Sequence, residues 1–400
     1  MIVRARTIVT MDGPPVENGA VVVSGDRVVD VGEFGEIKAR SSGDVIDLGE
    51  RVLLPGLVNA HCHLDYTCLR GKIPPQKSFA DWIRAINAEK AKLAAADYLA
   101  SITEGFAEAK RFGTTTVANL TAFPELIAQI HPPIRTWWFA ELIDVRSPEL
   151  ANELVDRSIQ SLKSAQNSGL APHALFTASA NLYRRCEGFA RNRNILLTTH
   201  LAESREEMSM FRDGSGPLYE FMETIGRDMS DCGGGTPLQK FLGRPGGASP
   251  PSEWIVAHLN ELTESDFELL EGTTGKFHVV HSPRSHGYFG HSQFPFKKLH
   301  ALGFNICVGT DSLASNQNLN LFAEMRAFQD AESGISPDKI LEMVTVNPAI
   351  ALHQENALGR IRPGFCADLI SIPCNRDGNI FDQIIAFEDP VDWMMVNGKM

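Results

Sequence analysis

Several things are missing from this sequence, and each absence removes a class of protein. No apolar run approaches the ~20 residues needed to cross a bilayer. Residues Met1–Arg6 show no long apolar core of a secretory signal. Seven cysteines are scattered without a single Cys-x-x-Cys pair. The odd count and the spacing argue for free thiols in a reducing compartment and against a disulfide frame. These features predict a cytoplasmic protein with no membrane partner. Positive charge is also in short supply. Lys and Arg number 37 against 49 Asp and Glu, a formal charge of −12, and no basic block occurs. A nucleic-acid polymer is therefore excluded as the expected partner. A small-molecule substrate remains, with homo-oligomerisation left open. Repeats at solenoid periods are absent as well.

What is present is an alternation of apolar runs with helical patterns over a chain of 400 residues. That length suits one large barrel and a small second domain. Candidate strands are Leu57–His63, Thr115–Leu120, Arg135–Leu142, Ala174–Ala178, Ile195–His200, Trp254–His258, Phe277–His281 and Phe304–Gly309. Parallel strands separated by helices predict an α/β fold of the (β/α)8 TIM type, with its site at the C-terminal rim.

The most informative stretch is Asn59-Ala60-His61-Cys62-His63, which ends the first apolar run. On a strand, positions i and i+2 share a face, so His61 and His63 project together. His200 and Asp311 end later apolar runs, and a parallel barrel brings such ends to one rim. Three imidazoles and a carboxylate suit Zn²⁺, with Fe²⁺ as the alternative. An ion held there lowers the pKa of bound water from ~15.7 towards ~7.

The ordered motifs Leu54-Pro55-Gly56-Leu57-Val58-Asn59-Ala60-His61-Cys62-His63, Gly113-Thr114-Thr115-Thr116, Ala171-Pro172-His173-Ala174, His200-Leu201-Ala202-Glu203, Ala257-His258, His281-Ser282-Pro283 and Gly309-Thr310-Asp311 span nearly the whole chain. In these the sequence resembles the amidohydrolase superfamily, in the branch of cytosine deaminase, adenosylhomocysteine deaminase and the chloro-s-triazine hydrolases. The resemblance implies a hydrolase of C–N bonds in cyclic amidines, with His61, His63, His200 and Asp311 as metal ligands. It implies Asp311 as acceptor of the water's proton and Glu203 as the group that carries protons to the ring and the leaving amine. His258 is expected to hydrogen-bond the attacking oxygen. His173, at the start of the fourth candidate strand, is expected to contact substrate. The resemblance also implies a small composite β-sandwich from residues 1–54 and 357–400, around a barrel of 55–356. The run Gly364-Phe365-Cys366-Ala367-Asp368-Leu369 matches the family's returning strand. Binuclear relatives carry a carboxylated lysine at the end of the fourth strand. Between Phe112 and His200 the only lysine is Lys163, inside a helical stretch, so one ion per chain is expected. His286 stands where relatives usually have Asn, and Ser282 where they usually have Cys.

Two connections are too long for simple turns. The one from Leu64 to about Ala95 reads as a lid, with Trp82 as a base-stacking candidate. In the other, 230–252 suits either a lid or a disordered insertion. Ser78-Phe79-Ala80-Asp81-Trp82-Ile83 and Asp311-Ser312-Leu313-Ala314-Ser315-Asn316 are similar to aminodeoxyfutalosine deaminases. The substrate implied is a 6-aminopurine nucleoside with a benzoate-bearing extension. A carboxylate in a partly dry site calls for arginine. Arg70, Arg146 and Arg284 fall on rim loops, and Arg284 is the favoured anchor, with Arg70 behind it. An adenosylhomocysteine, methylthioadenosine or adenosine deaminase, a chlorotriazine hydrolase and a non-catalytic barrel are the other readings.

Overall fold

The computed structural model describes residues 1–193, 195–244, 254–273 and 275–400. The chain opens with β1 (Ile2–Ile8), β2 (Val16–Ser24), β3 (Arg27–Glu33), β4 (Val45–Asp47) and β5 (Arg51–Pro55). It then enters a parallel set: β6 (Leu57–His63), β7 (Thr114–Thr121), β8 (Arg135–Leu142), β9 (Asn167–Pro172), β10 (Leu196–Leu201), β11 (Trp254–His258), β12 (His278–His281), β13 (Ile306–Val308) and β14 (Asp311–Ser312). Finally β15 (Leu369–Pro373) and β16 (Trp393–Met395) return to the first group.

The parallel set is a barrel of eight strands, the last of them broken at Gly309-Thr310. Its first half, β13, pairs with β12, and its second half, β14, pairs with β6. The registers Asp311↔Cys62 and Ser312↔His63 close the ring. Every residue of β6 and β7 is buried, as expected for strands covered on both faces. Side chains such as Leu120, Phe139, Ile255 and Val280 fill the centre. Helices pack outside it. Ala95–Arg111 turns Tyr98, Ile102, Phe106 and Ala109 inward at helical spacing.

The terminal strands form one sheet of order β16-β15-β5-β1-β2-β3, with β4 also on β1. The outer strand β3 hydrogen-bonds to the segment 364–366 that leads into β15, through Val28 N to Phe365 O and Gly364 N to Val28 O. The sheet thus curls around Val3, Ala5, Val21, Leu53 and Leu369. Both termini contribute, and β16 is a short last strand. Among the described residues no helix is long and apolar enough to cross a membrane.

The fourth strand lies earlier than the apolar pattern predicts. It is Asn167–Pro172, and of Ala174–Ala178 only Ala174 makes a bridge, to His200. The reason is packing. A Cβ on Gly169 would lie 2.3 Å from the Phe139 ring, so the strand is buried by close approach and not by bulky side chains. The shift moves His173 from the start of the strand to just past its C-terminal end. Among the described residues of the long connection after β10 three helices occur, Arg205–Asp213, Pro217–Thr224 and Pro237–Leu242. Of the undecided stretch 230–252, residues 245–252 lie outside the described residues.

Candidate active site

Strand ends deliver the predicted donors to one place. His61 and His63 come from the end of β6, His200 from β10, His258 from β11, and Asp311 opens β14. The donor atoms fall into three overlapping groups, each within 4.8 Å: His61, His200 and His258; His61, His63 and Asp311; His63, Glu141 and His200. Asp311 Oδ1 lies 3.8 Å from His61 Nε2 and 3.9 Å from His63 Nε2. Gly309 permits this convergence, because a Cβ there would meet His61 O at 2.7 Å. His258 and Asp311 hold positive φ values of 75° and 57°, the kind of backbone strain that collects at functional sites.

The surroundings orient the donors. His200 Nδ1 donates to His173 O at 2.8 Å, which leaves Nε2 as the bare nitrogen facing the site. Ser285 Oγ donates to Asp311 Oδ2 at 2.7 Å and Ser312 N to Oδ1 at 2.7 Å. Both nitrogens of His61 are buried without a partner. Unpaired buried polar atoms are costly, so this donor set fits a metal ion. Burial pushes His61, His63, His173 and His258 well below the ordinary histidine range, which favours the neutral rings that ligate metals.

Glu203 sits just beyond the donors, with Oε1 3.8 Å from His258 Nε2. Burial, then the nearby Asp311 and Glu207 charges, raise its pKa well above the carboxylate range. The protonated form is thereby favoured. Burial raises Asp311 too, against its bonds from Ser285 and Ser312.

A cavity of about 590 Å³ opens above these groups. His173, Trp82, Phe79 and Phe176 line it, with Ile83, Ile86 and Lys90 from the helix Phe79–Lys90 and Phe221, Met222 and Ile225 from the helix Pro217–Thr224 and its end, which packs beside that one. The long connection after β6 thus roofs the cavity through the helix Phe79–Lys90. Trp82 also anchors that roof, its ring 4.9 Å from that of Phe289.

The arginines fall differently from expectation. Arg284 points away from this cavity. Its guanidinium bonds Asn318 Oδ1 at 2.6 Å and Gln317 Oε1 at 3.0 Å, and lies 3.9 Å from Glu324. Arg70 is paired with Glu108. Both line a separate cavity that shares no residue with the first. Arg146 does line the site cavity, at its exposed edge. Lys163 caps the far end of the helix Ala151–Leu162.

Glu141 escaped the sequence reading. Its Oε1 is buried without a hydrogen-bond partner, 3.6 Å from His63 Nδ1 and 3.9 Å from His173 Nε2. The available signal was a carboxylate inside the apolar run Trp137-Trp138-Phe139-Ala140-Glu141-Leu142.

Barrel and rim together define a metal-site hydrolase of the TIM type. The chain belongs to the amidohydrolase family, whose family model matches residues 52–400. A 5-methylthioadenosine/S-adenosylhomocysteine deaminase of Moorella thermoacetica is 28% identical over 431 residues, covering 100% of this chain and 93% of the relative. An aminofutalosine deaminase of Helicobacter pylori, solved with methylthio-coformycin, superposes with TM-score 0.87 at 19% identity, covering 100% of this chain and 99% of that one. The zinc-complexed atrazine chlorohydrolase of Arthrobacter aurescens TC1 superposes with TM-score 0.82 at 19% identity, covering 100% and 94%.

Proposed function

We propose that this chain is a metal-dependent aminohydrolase of a 6-aminopurine nucleoside, with aminodeoxyfutalosine as the substrate. The observation that carries the reading is the place of Glu203, a buried carboxyl 3.8 Å from His258 beside the donor cluster of His61, His63, His200 and Asp311, at the floor of a largely apolar cavity where burial favours its acid form. His61, His63, His200 and Asp311 would hold one Zn²⁺, with Fe²⁺ as the alternative. An ion bound there supplies Lewis-acid activation of the attacking water. The protein's own groups do the rest. Asp311 accepts a proton from that water. Glu203 gives its proton to the ring nitrogen next to the amine-bearing carbon, takes up the second proton of the attacking water as the carbonyl forms and passes it to the departing amine; the proton held by Asp311 then restores Glu203 to its acid form. His258, neutral, donates or accepts a hydrogen bond at the attacking oxygen. His173 Nε2 faces the cavity because Nδ1 is engaged by Thr177 Oγ1 at 2.7 Å. Trp82 offers an aromatic wall to the purine.

Arg146 replaces Arg284 and Arg70 as the proposed carboxylate anchor, because of these three only Arg146 lines the cavity. The 28% identical deaminase relative supports the nucleoside class. An intact donor set speaks against a non-catalytic barrel. The deciding assay is ammonia release over a panel of 6-aminopurine nucleosides, aminopyrimidines and chlorotriazines. Preference for adenosylhomocysteine, methylthioadenosine or adenosine would overturn the substrate and keep the reaction. Chloride release from a triazine, without ammonia release from any nucleoside, would overturn the reaction.

A further inference from the structure

Glu206 and Glu207 open the helix Arg205–Asp213. In sequence they look like solvated charge in a first turn, and neither reading above uses them. In the structure they face different partners. Glu207 is fully buried, and its Oε2 accepts the backbone N–H of Glu203 at 2.7 Å. Glu206 reaches across to the helix Phe79–Lys90. Its Oε1 accepts Phe79 N at 2.7 Å and its Oε2 accepts Ala80 N at 3.0 Å.

Those two amides are the first of the roof helix, and a helix leaves its first N–H groups without internal partners. The cap Ser78 satisfies only Asp81 N, at 3.0 Å. Glu206 takes two of the remaining donors, and its negative charge sits where the helix dipole favours one. The helix so held carries Trp82, Ile83, Ile86 and Lys90 over the cavity. The glutamate that holds it is three residues from Glu203, on the same short turn.

We propose that Glu206 is a positioning residue that ties the cavity roof to the catalytic turn, and so selects substrates by what they carry beyond the purine. The kinetic part rests on the aminohydrolase reading. His173, Glu203 and His258 engage the ring from the barrel rim, and Trp82, the one roof residue proposed to face the purine, is held on Phe289 independently of Glu206. Ile83, Ile86 and Lys90 line the cavity from the roof, and the proposal assigns them to the part of the substrate beyond the purine. Losing Glu206 frees two amides at the roof's hinge end. Packing of Phe79 and Trp82 on Phe289, at 5.5 and 4.9 Å between ring centroids, remains and keeps the helix attached.

The test compares the parent chain with E206A and E206Q by hydrogen exchange and by kinetics on aminodeoxyfutalosine and adenosine. In E206A, amides at the start of the roof helix should exchange about tenfold faster or more, with the barrel strands unchanged. KM for the extended nucleoside should rise about tenfold, while adenosine's stays within about twofold and both kcat values hold. E206Q keeps one acceptor oxygen and should fall between parent and E206A, and it provides the same readouts if E206A does not fold. Parental exchange at Phe79 and Ala80 in the variants would overturn the proposal. So would an equal rise in KM for both nucleosides. If the parent deaminates neither nucleoside, the aminohydrolase reading fails, and the exchange at those two amides still decides whether Glu206 holds the roof.

Discussion

His63 Nε2 and His200 Nε2 face each other at 3.2 Å. The backbone carbonyl of His173 can only accept, so the proton of His200 is on Nδ1 and its Nε2 presents a lone pair. His63 Nε2 meets that lone pair either with a proton of its own, as a hydrogen bond, or through an electron-poor ion that both nitrogens share.

The first prediction follows from that pair. Purified protein should carry about one Zn²⁺ or Fe²⁺ per chain by elemental analysis, in line with four donors at one centre. His61→Ala and Asp311→Ala should each lower the metal content. Two tightly held ions per chain would refute the mononuclear site and give the unpartnered Glu141 a ligand's role.

Removing one proton carrier should separate binding from chemistry. Glu203→Gln keeps the shape of the side chain and should leave the metal in place. Turnover should fall ~10²–10⁴-fold, the usual worth of a general acid–base group. Near-parental ammonia release with full metal content would strip Glu203 of its proposed role.

For the substrate, the two rim arginines should behave differently. Arg146→Ala should narrow the kcat/KM gap between the benzoate-bearing nucleoside and adenosine. The expected change is roughly 1–2 kcal/mol, towards the lower end for a charge-assisted hydrogen bond because Arg146 is exposed. Arg284→Ala should leave the gap untouched, since its guanidinium is committed to Asn318 and Gln317. The opposite pattern would return the anchor to Arg284.

Glu207 should leave a mark on stability against pH. Burial, against its bonds from the Glu203 and Ala202 amides, pushes its pKa up to about 7. An unfolded glutamate titrates near ~4.3. Between those values the native chain holds a proton that the unfolded chain has lost. The contribution is therefore full below the unfolded pKa and disappears as pH rises through about 7. Its size is of order 3 kcal/mol. Thermal midpoints at pH 5 and pH 8 should differ more in the parent than in Glu207→Gln, whose amide oxygen still accepts the Glu203 N–H. Identical pH dependence in the two would show that Glu207 ionises normally in the folded chain.

The cluster proposed to hold the metal was legible in the sequence as residues that meet, because chemistry and period coincide there. His61 and His63 stand two apart at the end of an apolar run, and a barrel collects such ends without further information. Ser168, Gly169 and Ala171 carry no such signal. Their strand is buried because Phe139 leaves no room for a side chain, a fact that belongs to the neighbouring strand. Arg284 misled for a related reason. Its loop does stand on the rim, but Glu324, Gln317 and Asn318 arrive from later in the chain to claim its guanidinium. Glu206 was invisible because its partners are backbone amides some 127 positions away. A charged residue followed by another charged residue gives no hint that one of them closes a cavity.

The break at Gly309-Thr310 gives the barrel a seam, and the seam runs through the donor cluster. His61 and His63 lie on one lip and Asp311 on the other, paired through Asp311↔Cys62 and Ser312↔His63. An ion held by residues of both lips would be a clasp on a closed ring. It would cross-link positions roughly 250 residues apart, the long span over which closing a loop removes most entropy from the unfolded chain. Chelation should accordingly open the ring at this one edge before it loosens any strand on the opposite side.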